Sequence, residues 1–576
     1  MGSKLMITPS TKRSLLGCGL VALAATIVML PRLSSPHFGL LDDGVLPIGS
    51  AAVLRQITGQ EPGALFLFER HLGLVRPVYW LWTGGQYLLW GANPLGFFLM
   101  LYLNLVATSL LVLGAVTAAT KDPRAGLLAG LAFVLSPPVV ENYYTASKAE
   151  PVLVLCLALS VFFLYRAIDV ADRDTRRSRR RLAAAAVFLL LGYLSKPTAH
   201  AMILVSGLWT ISAWWRQGRS GNRQRFGVVR WYFIANLACA GTYWGAVALS
   251  GTAGIAAGGY SSGYALAPGT VLQGLLRHAA FYIRDFPLFL ILGGVWAATV
   301  IGARGGAPAS VRWLVVDCVS WIVGWTAIML PWQSTLEYRL LPVSIGVSMA
   351  TGILLSTFAG QEYAAARRTG WVAKGALIAG LGLTLVVLIN NVTNARIQLT
   401  VDAANRALID HLASHAPPNG TVLVNLPEPS EYVWEVGQHL AAFRGRSDVT
   451  ADYFNGGGHI APGTLVATPL MRHQPFPTVR LDFYESGVPE WSAKLSARLG
   501  DRATLVYREV ARVPLLYVAI EEPVCPVLLA ADIQDGAYCG TGRPLIDRRV
   551  FEYGWEVYAV GPVRGWTPSG RAHDAE

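Results

Sequence analysis

The chain has 576 residues, of which 53% are hydrophobic and only 14% are charged, against roughly 25% charged in a soluble globular protein. That deficit excludes an ordinary cytosolic enzyme, a disordered chain and a nucleic-acid-binding arm. The net charge of +12 is unevenly spread: residues 1–392 carry 31 Lys+Arg against 14 Asp+Glu, and residues 393–576 carry 16 against 21. The Arg clusters stand between apolar runs, as the positive-inside rule predicts for a polytopic membrane protein. Nothing in their placement points to a nucleic-acid partner.

In chain order, Lys4, Lys12 and Arg13 precede the apolar run Leu15–Leu30, which Pro31-Arg32 follows in place of a small-residue cleavage pattern. This reads as a signal-anchor and first span with the N-terminus in the cytoplasm. Further apolar runs lie at about 95–119, 125–140, 151–168, 182–195, 198–215, 231–250, 286–303, 313–331, 340–358 and 375–392, which predicts eleven spans. Basic loops (Arg173 to Arg181, Arg216 to Arg230, Arg367 to Lys374) alternate with loops holding Asp42, Asp43, Glu141, Glu150, Asp285 and Glu337. The alternation places the acidic loops and the C-terminal part outside the cytoplasm of a plasma (bacterial inner) membrane.

The expected organisation is a transmembrane domain over 1–392 and a soluble extracytoplasmic domain over 393–576. In the latter, helical spacing over Val401–His415 ends at Pro417-Pro418. A strand is expected at Thr421–Asn425 and a helix at Glu431–Ala442. Strands follow at Thr464–Ala467, Val479–Tyr484, Thr504–Glu509, Pro514–Ile520 and Val550–Ala559. The fold class is therefore a polytopic α-helical membrane bundle with an α/β or mostly β domain. Cys525 and Cys539 enclose a loop in that domain, and the other four Cys lie in apolar runs. An oxidising compartment makes a Cys525–Cys539 disulfide the leading reading, with two free thiols in a β-rich core as its rival. His411 and His415 stand four apart, a metal-compatible spacing whose bland reading is a solvent-facing helix end. Trp434, Trp491, Trp555 and Trp566 suit either sugar stacking or the domain core.

The first acidic loop, about Ser34 to Asn93, is too long for a simple connector. It carries Asp42-Asp43, a weakly amphipathic stretch Ile48–Ile57, and Arg76-Pro77-Val78-Tyr79-Trp80. Two adjacent carboxylates repel, which suits one of them to act as a base near neutral pH; an Asp-Asp-Gly turn facing water is the bland alternative. The second acidic loop runs Glu141–Glu150 and holds Lys148 directly before a span, where a helix cap beside an interfacial Tyr pair is the ordinary reading. Lys196 sits at the turn Leu194-Ser195-Lys196-Pro197, against the charge bias, and so needs an anionic partner or exposure. Arg339 lies in Glu337-Tyr338-Arg339-Leu340-Leu341-Pro342. Arg76, Lys148, Lys196 and Arg339 share one membrane face and are able to converge on an anion; singly, each also fits a snorkelling interfacial cation.

Over roughly residues 10–345, the order and placement of these segments resemble the GT-C-fold glycosyltransferases that use a polyprenyl-phosphate sugar, the protein O-mannosyltransferase and lipid A aminoarabinose transferase group. In that group an acidic pair follows the first span, as do Asp42-Asp43 here. A basic-Pro-x-x-Tyr-Trp-like motif is similar to Arg76–Trp80, with Arg in place of the usual Lys and one residue fewer before Tyr. Glu150 stands where Asp is more frequent. Leu194–Pro197 and Tyr338–Pro342 resemble two further elements. The resemblance implies an inverting transfer of a sugar from a polyprenyl-phosphate donor to a glycan, lipid or protein acceptor at the external face, amid membrane lipid. Asp42 would be the base, with Asp43 orienting it or holding a divalent cation such as Mg or Mn. Glu150 would complete the catalytic carboxylates. Arg76, Lys148, Lys196 and Arg339 would bind the donor phosphate, and Tyr79, Trp80 and Tyr338 would line the donor and acceptor pocket. The rival function is a transporter or flippase for lipid-linked glycans, which would favour repeated halves and polar breaks at the membrane midplane.

Overall fold

The computed structural model describes residues 9–40, 43–60, 74–220, 223–251, 264–302, 309–332, 337–359, 370–426, 431–454, 460–472, 495, 499–518 and 546–561. In chain order the helices of the bundle are α1 (Pro9–Ser34), α2 (Val45–Ile57), α3 (Pro77–Trp90), α4 (Pro94–Thr120), α5 (Pro123–Val134), α6 (Pro137–Tyr143), α7 (Glu150–Val170), α8 (Thr175–Tyr193), α9 (Ala201–Ser220), α10 (Arg223–Leu249), α11 (Pro268–Asp285), α12 (Pro287–Gly302), α13 (Ala309–Met329) and α14 (Leu341–Ala359). They are followed by α15 (Gly370–His415), which leads into the C-terminal domain. Their starts are written locally. Asn93 and Asp122 each accept a backbone N–H two residues on, and each is followed by Pro at the first helical position, where the missing N–H costs nothing.

The chain is a multi-pass membrane protein. Among the described residues seven helices are long and apolar enough to cross a bilayer, or nine if two bent pairs each count as one span. The expected eleven is not reached by that measure. The runs read at 182–195 and 198–215 correspond to α8 and α9, and α8 spends its first turns on the Arg176–Arg181 cluster. Its apolar part is then short for a hydrocarbon core of ~30 Å. One bent pair joins α5 to α6 at 54°, and the other joins α11 to α12 at 99°. Helices approach closely where side chains vanish: a Cβ at Gly352 would lie 2.5 Å from the Ala129 nitrogen, so α14 and α5 touch backbone to backbone.

α15 runs unbroken for 46 residues, on the order of 70 Å at 1.5 Å per residue. The span expected at 375–392 and the helix expected at Val401–His415 are thus one element that runs from the bundle into the C-terminal sheet domain. There it packs on a five-stranded mixed sheet of order β2-β1-β3-β7-β4, with β1 (Thr421–Val424), β2 (Thr450–Tyr453), β3 (Leu465–Arg472), β4 (Ala503–Pro514) and β7 (Val550–Val560). β1 is parallel to β2 and β3, whereas β3, β7 and β4 are antiparallel. A two-residue pair, β5 (Tyr517–Val518) and β6 (Ile546–Asp547), lies beside it. Helix α16 (Glu431–Arg444) covers the β2 end. β2 was not expected, because its polar Thr-Ala-Asp-Tyr sequence has no apolar alternation.

Trp555 is core: it is buried, and its indole N–H donates to Asn405 Oδ1 at 2.9 Å. Trp434 is exposed. The solvent-facing reading of His411 is overturned. Its ring stacks on His415 at 4.3 Å and on Tyr507 of β4 at 4.2 Å, because α15 turns this face to the sheet. The expected strand Val479–Tyr484, Trp491, Trp566 and the pair Cys525–Cys539 lie outside the described residues.

Candidate active site

Asp42 lies outside the described residues, but both sides of its loop are placed. Asp43 is fully buried. Its Oδ2 accepts the Gly39 N–H at 2.8 Å and its Oδ1 accepts the Ser147 N–H at 2.9 Å. Its carbonyl accepts the Leu46 N–H at the start of α2. One carboxylate therefore closes its own loop and fastens that loop to the second acidic loop, 104 residues away. A water-facing Asp-Asp-Gly turn does not describe Asp43.

Arg76 precedes α3, with Pro77 at the first helical position. The Arg76 guanidinium carbon lies 4.9 Å from the Tyr79 ring centroid, an arrangement that holds a cation over an aromatic face. The Tyr79 hydroxyl donates to the Ser147 carbonyl at 2.6 Å, so Ser147 is gripped by Asp43 on its N–H and by Tyr79 on its C=O. Trp80 packs edge-on to Tyr79 at 5.1 Å. The Val78 N–H donates to the Leu194 carbonyl at 3.0 Å, which brings in the turn carrying Lys196. There Lys196 Nζ is hydrogen-bonded to Glu150 Oε1 as a largely buried ion pair. The anionic partner that Lys196 needs is thus Glu150. The carboxylate sits in the first turn of α7, where the helix dipole also favours it, and the buried Lys148 stands two residues before it.

Asp43, Arg76, Tyr79, Trp80, Lys148, Glu150 and Lys196 are therefore brought to one end of the bundle. Arg339 is one element removed. Its guanidinium stacks 4.0 Å over Trp332, and its 3-10 turn, Glu337–Leu340, packs against α6. Tyr338 lies on that turn, and its side chain is outside the described residues. Glu141, also buried, accepts the Asn394 amide of α15 at 2.8 Å, and Asn394 in turn accepts from Gln398 at 3.2 Å. Sequence reading missed this last group. The signal was present as Asn390, Asn394 and Gln398, spaced by four where the apolar run of α15 gives out.

The C-terminal sheet domain also reaches the loop. An open cleft of about 330 Å³ lies between residues 36–40, the start of α4, α15 and α16, lined by His37, Phe38, Asn405, Arg406, Phe443 and Arg444 among others. Burial lowers the pKa of His37, and the charges of Arg406 and Arg32 lower it further. Among the described residues no cluster of three His, Cys, Asp or Glu side chains is arranged to hold a metal ion.

No family model and no curated protein sequence matches the chain. Solved structures are similar to it at low identity. With ArnT from Cupriavidus metallidurans bound to undecaprenyl phosphate, the TM-score is 0.46 at 14% identity, over 78% of this chain and 92% of that one. With the Archaeoglobus fulgidus oligosaccharyltransferase in its apo form, it is 0.42 at 11% identity, over 76% and 64%. With the mycobacterial arabinofuranosyltransferase AftD, it is 0.40 at 16% identity, over 95% of this chain and 42% of that one.

Proposed function

We propose that the chain is an inverting membrane glycosyltransferase that moves a sugar from a polyprenyl-phosphate donor to an envelope glycan, lipid or protein at the external face. The observation that carries the reading is the convergence of four sequence-distant segments at one end of an apolar bundle: the loop of Asp42-Asp43, Arg76–Trp80, Ser147–Glu150 and Lys196. Cations and carboxylates are costly when buried in an apolar bundle, and their grouping fits an amphiphile with an anionic head. The motif order that resembles the GT-C group supports it.

In this reading an acceptor hydroxyl entering through the cleft beside residues 36–40 attacks the anomeric carbon. Its proton passes to the Asp42 carboxylate, a carbon–oxygen bond forms, and the bond to the phosphate oxygen breaks with its electron pair leaving on the phosphate. Arg76, Lys148 and Lys196 stabilise that charge, with Arg339 nearby on the adjoining turn. Glu150 holds Lys196 in place and offsets the cost of burying it. Asp43, with backbone N–H donors on both oxygens, suits the shaping of the loop better than the holding of a Mg or Mn ion. The grouping of charge at one end, rather than at mid-bundle, favours transfer over transport.

The test is incubation of the purified protein with radiolabelled polyprenyl-phosphate sugars and membrane-derived acceptors. Label should move to an acceptor with inversion at the anomeric carbon. Absence of transfer from every donor, by a folded protein, overturns the reading.

A further inference from the structure

Three side chains on one face of α16, at positions 435, 439 and 443, reach the loop of the acidic pair from the soluble domain. The Glu435 carboxylate, fully buried, accepts the Gly44 N–H at 3.0 Å through Oε2. His439 Nε2 lies 3.1 Å from the Gly39 carbonyl, a pairing in which the imidazole N–H donates. The Phe443 ring stacks on Phe38 at 5.3 Å and 29°, and Phe38 meets Phe97 of α4 edge-on at 5.4 Å. Spacing by four residues puts side chains on one helix stripe, so a single helix face holds residues 38, 39 and 44, on both sides of Asp42-Asp43. Gly44 is needed for this approach: a Cβ there would lie 2.4 Å from Glu435 Oε2 and 2.7 Å from the His439 ring.

We propose that Glu435 and His439 are positioning residues that hold the described flanks, Gly39 and Gly44, of the segment carrying the acidic pair, so that the C-terminal domain completes the active site of the bundle. This rests on the transferase reading above. The bundle fixes the loop from one side, through the Ser147 N–H on Asp43. The α16 stripe fixes it from the other. Residues 39 and 44 are thereby held on either side of the acidic pair, and a fixed support is what a general base needs in order to meet an acceptor hydroxyl at hydrogen-bond distance. The chemistry of the stripe is acceptor, donor and ring, and Gln at either polar position keeps the hydrogen bond that Ala removes.

The experiment uses the full-length protein in detergent or nanodiscs, as wild type, Glu435→Ala, Glu435→Gln, His439→Ala and His439→Gln. Hydrogen–deuterium exchange followed by mass spectrometry should show peptides covering residues 38–47 exchanging about tenfold faster or more in the Ala variants, the scale of a lost buried hydrogen bond. Peptides from the β7 core should be unchanged, and the Gln variants should stay near wild type. With the donor that wild type uses best, the Ala variants should lose about tenfold or more in kcat with the donor KM within about twofold, and Gln should restore most of it. Unchanged exchange of 38–47 in Glu435→Ala overturns the clamp. A loosened loop with full kcat overturns its role in positioning. A wild type that transfers from no donor sinks the transferase reading instead, and the exchange data then still decide whether the stripe holds the loop.

Discussion

Asp402→Ala probes the join between the first helix and the soluble domain. Asp402, in the C-terminal half of α15, forms an ion pair with Arg32 at 2.7 Å, and both side chains are fully buried. Arg32 also donates to the His37 carbonyl at 2.8 Å and lies 4.1 Å over the Phe98 ring. Removing one partner of a buried pair leaves a desolvated charge and costs about 3–5 kcal/mol. The His37 carbonyl and the Phe98 face remain to Arg32, so the lower end is expected, about 3 kcal/mol. Replacing both partners by apolar residues, Arg32→Met with Asp402→Leu, removes the charge as well as its partner and should recover most of that loss. The assay is equilibrium unfolding of the purified protein in mixed micelles at rising SDS fraction, followed by tryptophan fluorescence. A loss below about 1 kcal/mol for Asp402→Ala, or a double variant no better than the single one, refutes the reasoning.

The remaining predictions concern the site and the topology. Asp42→Asn should lower transfer by roughly two to four orders of magnitude with folding retained; near-normal turnover would move the base elsewhere. The buried pair of Lys196 and Glu150 should show a coupling of about 1–3 kcal/mol in a double-mutant cycle of thermal stability with Lys196→Met and Glu150→Gln, and additive losses would deny the pairing. A reporter active only outside the cytoplasm should work when fused after Ala395 and fail at Thr175, and activity at Thr175 would invert the site's side. Because the folded protein lowers the pKa of His37, the unfolded chain binds the proton more readily. Stability should therefore fall as pH drops below about 6.5, an effect that His37→Gln removes; an identical acid dependence in the variant would assign it to other groups.

The sequence by itself determined most of the elements, though not β2 or the number of spans. Apolar runs long enough to cross a bilayer, and Pro after Asn93 and Asp122, are local features, and the helices of the bundle follow them. The same holds for the strand at Thr421 and for the stop of α15 before Pro417-Pro418. Candidate chemistry was legible as residue type and position too: Lys196 stood against the charge bias, which is why an anionic partner was required of it. Which anion that is, Glu150, only the tertiary structure decided, since α7 and the 194–197 turn meet by helix packing that no spacing encodes. It also decided that Asp43 faces inward to the Gly39 and Ser147 amides instead of water. A buried carboxylate and an exposed one carry the same letter; what separates them is the set of N–H donors that distant backbone delivers. The stripe of Glu435, His439 and Phe443 was readable as a helix face, yet nothing in its periodicity names the loop it holds. That contact is a matter of tertiary packing: α15 runs unbroken from the bundle into the C-terminal sheet domain, and α16 is carried to the loop with that domain.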